Sequence, residues 1–230
     1  MTTVDNLFIV RKNEIDVFFK YLNYFDNSIC KIHYESDQDG VSYDIILDQD
    51  FYKILKSNAY LLLYNLIEAV VEKSLDITFQ AINTERLSYN LTSESIRKLC
   101  IKLHSKKIRN ISNDKSISKE IVDVIDYFVG SKLIELSKEL LSGRSGNLDT
   151  KKINEILKEL GIRPSSNPHS LQSVKQKRNN LAHGDISFAD GGKDVVLTDL
   201  TDCKDEVFIY LQDFINKIKS YLVNKEYKHR

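Results

Sequence analysis

The chain of 230 residues is poor in the residues that interrupt helices or tie loops together. Its two prolines, Pro164 and Pro168, lie in one short segment, so elsewhere no proline breaks a helix. The three cysteines, Cys30, Cys100 and Cys203, are widely spaced and include no Cys-x-x-Cys pair. This spacing argues against a disulfide framework and a zinc site, and we expect a reducing, cytoplasmic setting.

Neither charge sign is in excess, because lysine plus arginine and aspartate plus glutamate each total 33. A chain with zero net charge is not a general binder of polyanions, so contact with nucleic acid requires a local basic patch. The most apolar stretch, Ala59 to Val71, is interrupted by Asn65 and Glu68. It is shorter than the roughly 20 residues of a membrane span. We therefore expect a buried helix and no membrane association.

Several motifs that mark cofactor or metal enzymes are not found in the sequence. We find no clustered histidine, cysteine and carboxylate set at ligand spacing, no glycine-rich phosphate loop ending in Lys-Ser or Lys-Thr, no Gly-x-Ser-x-Gly elbow and no dinucleotide fingerprint. The sequence therefore predicts no metal and no cofactor. Nucleotide hydrolysis and acyl transfer become less favoured.

Hydrophobic spacing predicts a mainly α protein, a helical bundle with a small β-hairpin near its N-terminus. The predicted helices cover about 15–25, 50–82, 93–107, 118–129, 150–160, 170–183 and 202–223. Two β-branched segments, 29–34 and 41–47, flank a polar turn at 36–40 and predict the hairpin. The predicted domains are an N-terminal helix and hairpin over 1–49, a helical domain over 50–224 and a flexible tail over 225–230.

Particular residues mark the ends of the later helices. Asp149 or Thr150 is the expected N-cap of the helix that ends before Gly161. Gly184 supplies the same left-handed cap after the helix 170–183. A break is predicted at 142–147, and a turn at 190–192 from Asp-Gly-Gly.

Arginine followed by histidine at short spacing occurs three times, so the spacing alone selects no site. One pair, Arg163 and His169, flanks the prolines in an irregular loop. Another, Arg97 and His104, belongs to a lysine-rich run. For that run we favour a solvated basic face, although a phosphate-tracking patch is the alternative.

The third pair, Arg178 and His183, differs because Arg178 continues the apolar register of its helix. Burial of a guanidinium is costly without a compensating anion. An ion pair with Glu68, Asp185 or another acid and a functional role are equally compatible with the residues alone. His183 lies about 140° around an ideal helix from Arg178, so the two converge poorly within one helix.

The chemistry of this pair suits RNA cleavage. Histidine can accept the proton of a ribose 2′-hydroxyl or donate one to the leaving oxygen, and arginine offers a charged fork matched to phosphate. On the same helix, Lys175 and Lys177 could hold flanking phosphates, although a solvated face is equally compatible. For Asn65 and Glu68 we favour a structural role.

At these residues the sequence resembles the HEPN superfamily, whose nuclease members carry arginine, a polar residue, further positions and then histidine near a helix end. Asn179 matches the polar position. The segments 55–69, 145–153 and 178–188, with Gly191 beyond, resemble a stand-alone prokaryotic HEPN branch, and the likeness covers about 50–222. Residues 1–49 match no motif that we can name.

The resemblance implies a metal-independent endoribonuclease that acts as a homodimer and leaves a 2′,3′-cyclic phosphate. Arg178, His183 and Asn179 would then be the catalytic residues, with RNA bound between two motif helices. The branch is associated with toxin–antitoxin and antiphage abortive-infection systems, so a defence role and an antitoxin or other partner protein are expected. The alternative is a catalytically silent HEPN module that binds RNA or a protein.

Overall fold

A computed structural model of the chain describes residues 1–27, 31–35, 41–46, 48–111, 114–129, 132–137, 148–166 and 168–229. Within them, eight α-helices follow one another: α1 (Thr2–Asn27), α2 (Gln49–Thr84), α3 (Glu94–Arg109), α4 (Asp114–Phe128), α5 (Thr150–Leu160), α6 (Ser170–His183), α7 (Phe188–Lys193) and α8 (Leu197–Val223). A short 3-10 helix spans Tyr89–Leu91. The prediction of a mainly α fold is confirmed.

The predicted hairpin is also confirmed. Strand β1 (Lys31–Glu35) pairs antiparallel with β2 (Ser42–Ile46), and Ile32 lies opposite Ile45. Because successive side chains alternate across a strand, Ile32, Tyr43 and Ile45 share one face of this ribbon. All three are between 41% and 48% exposed. The predicted turn at 36–40 lies outside the described residues, as do Cys30 and the predicted break at 142–147.

The chain forms two compact units, each built from separate stretches of sequence. The α6 unit comprises Asn6–Glu68 and Pro168–Tyr210, and the α5 unit comprises Met1–Asp5, Ala69–Asn167 and Leu211–Arg230. Helices α2 and α8 contribute residues to both. Helix α1 and the first part of α2 belong to the same unit.

The core of the α6 unit comes from apolar stripes of four helices. In α1 the buried side chains recur at helical spacing, and Phe8 meets Phe208 of α8 edge to face with ring centroids 6.2 Å apart. Burial of such side chains is the main favourable term in folding. The buried hydrophobic side chains of this core include Phe8, Ile15, Phe19, Leu22, Ala59, Leu63, Tyr64, Leu66, Ile67, Leu171, Val174, Leu181, Leu197, Leu200, Val207, Phe208 and Tyr210.

Helix α2 is long and apolar enough, by length and composition alone, to cross a membrane. However, 56% of its most apolar window is buried within the protein, as in core helices of soluble proteins. Leu63, Ile67 and Val71 are almost completely buried.

The predicted caps of α5 and α6 are present. Asp149 accepts a hydrogen bond from the backbone N–H of Lys152 at 2.8 Å and so begins α5. Gly161 and Gly184 follow the ends of α5 and α6 with φ of +82° and +75°. Glycine adopts this left-handed conformation without the strain of a Cβ atom, and it satisfies carbonyls at the helix end.

The prediction of a turn at 190–192 is wrong, because these residues lie inside α7. The Ser187 hydroxyl caps this helix by accepting the Asp190 N–H at 3.1 Å. Gly191 and Gly192 are buried there, and a Cβ atom on Gly192 would overlap the backbone carbonyl of Lys53. The two glycines therefore serve close packing rather than a turn.

The last described residues are held by side-chain contacts. Residues 225–229 pack within the α5 unit, where Tyr227 is 3% exposed. Glu85 receives the Nζ atoms of Lys225 and Lys228 at 2.7 Å each and the Tyr227 hydroxyl at 3.2 Å. Two lysines of this segment thus share one carboxylate that is distant in sequence.

Candidate active site

Helix α6 presents Arg178 from the same side as its buried residues. Leu171 and Val174 are fully buried, and Leu181 is 5% exposed. The Arg178 side chain, which continues this register, is 23% exposed. The apolar register therefore holds the guanidinium at the edge of the core, as the spacing indicated.

Two side chains of α2 receive the Arg178 guanidinium. Its Nη2 atom lies 3.5 Å from Oε1 of Glu68, and its central carbon lies 4.2 Å from the ring centroid of Tyr64. Its Nη1 atom donates to the side-chain oxygen of Asn179 at 2.8 Å. Glu68, proposed from the sequence as a partner, thus forms the ion pair, whereas Asp185 is exposed on the surface.

Tyr64 is the site residue that the sequence analysis missed. It lies four residues before Glu68, and residues at this spacing are neighbours on one face of a helix. The ring is 2% exposed, so the guanidinium rests on a buried aromatic surface. A signal was present in the sequence: an aromatic residue one turn from an unexpected carboxylate suggests a platform for a cation.

His183 is the last residue of α6 and lies on the surface. Gly184 ends the helix, and the Asp185 N–H then donates to the Asn180 carbonyl at 2.9 Å. No hydrogen bond or ion pair joins His183 to Arg178 in the described part of the chain. The structure therefore brings Tyr64, Glu68 and Asn179 to Arg178 but leaves His183 facing solvent.

The segment after His183 is held against α2 by polar side chains. The Ser57 hydroxyl donates to the Phe188 carbonyl at 2.6 Å, and Lys56 Nζ donates to the Val195 carbonyl at 2.6 Å. Desolvation lowers the pKa of Lys56, which is 7% exposed. These bonds hold the start of α7 and the residues just after its end against α2. Helix α7 follows α6, the helix that carries Arg178 and His183.

Lys177, predicted as a candidate for RNA binding, takes part in the same packing. Its Nζ atom donates to the Gly191 carbonyl at 3.0 Å. A half-buried lysine with this bond stabilises α7 against α6. Lys175 is also half-buried, and its proposed RNA contact stays a prediction.

Of the two other arginine–histidine pairs, Arg97, His104 and Arg163 belong to the α5 unit and His169 to the α6 unit. His104 is 5% exposed, and its Nδ1 atom lies 2.6 Å from Oε1 of Glu120, so the prediction of a solvated face is wrong for His104. Burial is possible because the Glu120 carboxylate forms a hydrogen bond with the imidazole ring. Lys106 and Arg109 of the same helix are exposed, as expected. Arg163 and His169 flank the non-helical segment before α6.

No group of three histidine, cysteine, aspartate or glutamate side chains that could hold a metal ion occurs among the described residues. Imidazole, guanidinium and amide groups supply the chemistry around α6. They can transfer a proton, bind an anion and hold the anion's position, which are the needs of a phosphodiester transfer.

Comparison with known proteins gives a family match. The family model described as HEPN_MAE_28990-like HEPN matches residues 1–227, which is nearly the whole chain. The match includes α1 and the hairpin, which carry no motif that the sequence analysis could name. No curated protein and no solved structure matches the chain significantly.

Proposed function

The chain belongs to the HEPN_MAE_28990-like family of the HEPN superfamily, and from this premise we propose that it is an endoribonuclease whose catalytic residues are Arg178 and His183. HEPN membership suggests a nuclease-like or RNA-binding module. The single observation that carries the proposal of RNA cleavage is the placement of Arg178. Its guanidinium lies on the Tyr64 ring and beside Asn179, on the helix that ends at His183.

In the proposed reaction, His183 accepts the proton of a ribose 2′-hydroxyl while the 2′-oxygen attacks the adjacent phosphorus. The bond from phosphorus to the 5′-oxygen breaks, and that oxygen takes up a proton from solvent, to which His183 later releases the proton that it accepted. The products are a 2′,3′-cyclic phosphate and a 5′-hydroxyl. Arg178 stabilises the charge on the phosphate, and Asn179 holds the guanidinium, so no metal ion is required.

A homodimer is part of the proposal. Arg178 and His183 diverge by about 140° around one helix, so two motif helices that face each other would supply complementary groups to one RNA strand. We propose that the enzyme acts in the cytoplasm as a toxin or antiphage effector, controlled by an antitoxin or other partner protein.

A catalytically silent HEPN module is the second candidate. It is favoured by the ion pair between Arg178 and Glu68, which occupies the guanidinium in the free protein. Such a module would bind RNA or a protein through the same surface without cutting.

Cleavage of labelled RNA in EDTA distinguishes these candidates. The wild type is compared with Arg178→Ala and His183→Ala, and with Arg163→Ala and His169→Ala as matched controls from the neighbouring pair. We expect cleavage by the wild type and both controls, and loss of at least about 100-fold in each motif variant. Absence of cleavage, or equal cleavage by all five proteins, would contradict the enzymatic proposal.

The chemistry of the ends gives a further check. Replacing the 2′-hydroxyl at the cut site by hydrogen should abolish cleavage, because the attacking oxygen is then missing. The upstream fragment should carry a cyclic phosphate that resists a phosphomonoesterase until it is opened by acid. A 3′-hydroxyl end would instead indicate that water attacks the phosphorus and that the 3′-oxygen leaves.

A further inference from the structure

We propose that Arg11 of α1 binds a second phosphate of the RNA, close to the phosphate at Arg178. This inference rests on the proposed function and extends its site to a helix outside the motif. It assigns a role to Arg11 and to Asn65, the polar intruder in the apolar α2.

The geometry follows from one exposed stripe of α2. Arg11 Nη1 donates to Oδ1 of Asn65 at 3.3 Å, and Arg178 Nη2 lies 3.5 Å from Glu68. Asn65 and Glu68 are three residues apart, so their Cβ atoms lie about 5–6 Å from each other. Two guanidinium groups from α1 and α6 therefore approach the same stripe. Because they contact neighbouring positions of one helix, the two groups suit phosphates one or two nucleotides apart.

The electrostatic state of the two arginines differs. Arg178 is paired with the carboxylate of Glu68, whereas Arg11 is held by an uncharged amide, and within the described residues it forms no ion pair. The adjacent Lys12 is matched by Asp16 at 2.8 Å. Arg11 therefore keeps its charge for an anion while its orientation is already set, which reduces the entropy lost when an anion binds.

The surroundings of Arg11 leave room for a strand of RNA. An open cleft of about 480 Å³ is lined by Asn6, Leu7, Val10, Arg11 and Glu14. Val10 is 57% exposed. A guanidinium beside an open, partly apolar cleft can bind phosphate through its fork while the apolar surface contacts sugar or base.

Salt dependence separates phosphate binding from a structural role. Binding is measured with a short fluorescent 2′-O-methyl oligoribonucleotide, which cannot be cut because the attacking oxygen is blocked. Each lost phosphate contact lowers the slope of log affinity against log salt by about 0.7 for single strands. We expect this decrease in Arg11→Gln, together with about tenfold weaker binding near 100 mM salt.

Three variants serve as comparisons. Lys20→Gln removes one positive charge from an exposed position half a turn, about 180°, around α1 from Arg11, and we expect the wild-type slope. Arg11→Lys keeps the charge and should restore most of the slope. Asn65→Ala removes the intramolecular bond but leaves the cation, so its slope should stay that of the wild type.

The outcomes are distinct. Equal slopes in Arg11→Gln and Lys20→Gln would overturn the inference, and so would an Asn65→Ala variant that reproduces the Arg11→Gln slope. If either of those results is found and the wild type nevertheless cleaves RNA, the role of Arg11 is rejected and the proposed function is kept. If the wild type binds with an Arg11-dependent slope but does not cleave, the inference stands and the enzymatic proposal fails. Absence of RNA binding by the wild type overturns both.

Discussion

Arg178 and Tyr64 form a cation–π contact in which the guanidinium carbon lies 4.2 Å from the centre of a buried ring. Such a contact contributes about 0.5–2 kcal/mol and favours this position of the guanidinium over others. Tyr64 is therefore a positioning residue in the proposed site.

Removal of the Tyr64 ring should reduce RNA cleavage more than removal of its hydroxyl group alone. We expect Tyr64→Phe to cleave RNA within about threefold of the wild type, because the aromatic face remains. Tyr64→Leu should lose about tenfold or more in kcat/KM through misplacement of Arg178. Single-turnover cleavage and thermal unfolding of the same samples measure both effects.

The matched control for this comparison is Tyr221→Leu in the α5 unit. Tyr221 is 1% exposed and packs against Tyr227 with ring centroids 5.8 Å apart, so its loss should destabilise the fold without touching Arg178. Equal losses of activity in Tyr64→Leu and Tyr221→Leu would show that Tyr64 acts through stability alone.

Glu68→Gln should strengthen RNA binding. The carboxylate pairs with Arg178 and repels an incoming phosphate, whereas the amide does neither to the same extent. We expect about threefold to tenfold tighter binding of the uncleavable oligonucleotide at low salt. The ion pair is partly exposed, with side chains 23% and 33% accessible, so stability should fall by less than about 1 kcal/mol.

The comparison variant for Glu68 is Glu72→Gln, one turn later on α2. It removes the same charge from the same helix and should change affinity less. Weaker binding in Glu68→Gln than in the wild type would instead mean that Glu68 aims Arg178 at the phosphate.

Gly192→Ala should destabilise the protein more than Gly184→Ala. A Cβ atom on Gly192 overlaps the Lys53 backbone, which cannot move away as a flexible side chain would. We expect a loss of about 2–3 kcal/mol in the free energy of unfolding, from overpacking. Gly184 has open space around its Cα, so alanine there costs about 1 kcal/mol through its positive φ. Urea unfolding of both variants checks the order, and the reverse order would contradict the packing described for α7.

Glu85 should contribute to acid resistance. Its hydrogen bonds with Lys225 and Lys228 hold its pKa at about 2, below the ordinary 4.5. The folded protein therefore binds fewer protons at this carboxyl than the unfolded chain. The contribution is present above pH 4.5 and is lost as the pH falls through about 2.

Glu85→Gln removes this pH-dependent contribution. We expect its melting temperature to lie below that of the wild type near pH 6, with the difference shrinking as the pH falls from 4.5 toward 2. Glu135→Gln, at an exposed position of the same unit, serves as the charge control. A difference between the Glu85 variant and the wild type that stays constant with pH would contradict the assignment.

Most helices could be predicted from the sequence because their apolar residues recur at the helical period and their ends carry recognisable caps. Asp149, Gly161 and Gly184 mark such ends by local chemistry. The prediction of a turn at 190–192 failed because two adjacent glycines can mark either a turn or a place where a helix packs closely against another backbone. Local sequence cannot reveal that the Lys53 backbone lies where a Cβ atom would be.

The candidate site was predictable in part. The register of α6 places Arg178 at the core edge, and Glu68 was a candidate partner because a carboxylate is unexpected in so apolar a helix. The roles of Tyr64 and Arg11 depend on contacts between residues more than 50 positions apart. Spacing along α2 marks Tyr64 as a neighbour of Glu68, but it does not reveal which cation contacts Tyr64 or Asn65, so the tertiary structure is needed to identify these pairs.

The ion pair between Arg178 and Glu68 also bears on the thermodynamics of RNA binding. Much of the affinity between proteins and nucleic acids comes from the entropy of small ions released into solution. At Arg178 the displaced group is a side chain that stays tethered to α2, so its displacement releases nothing into solution. In the proposed complex, Arg178 therefore adds little to the salt-dependent affinity and acts mainly in the transition state. The salt-dependent part of RNA binding then comes from cations that form no ion pair within the protein.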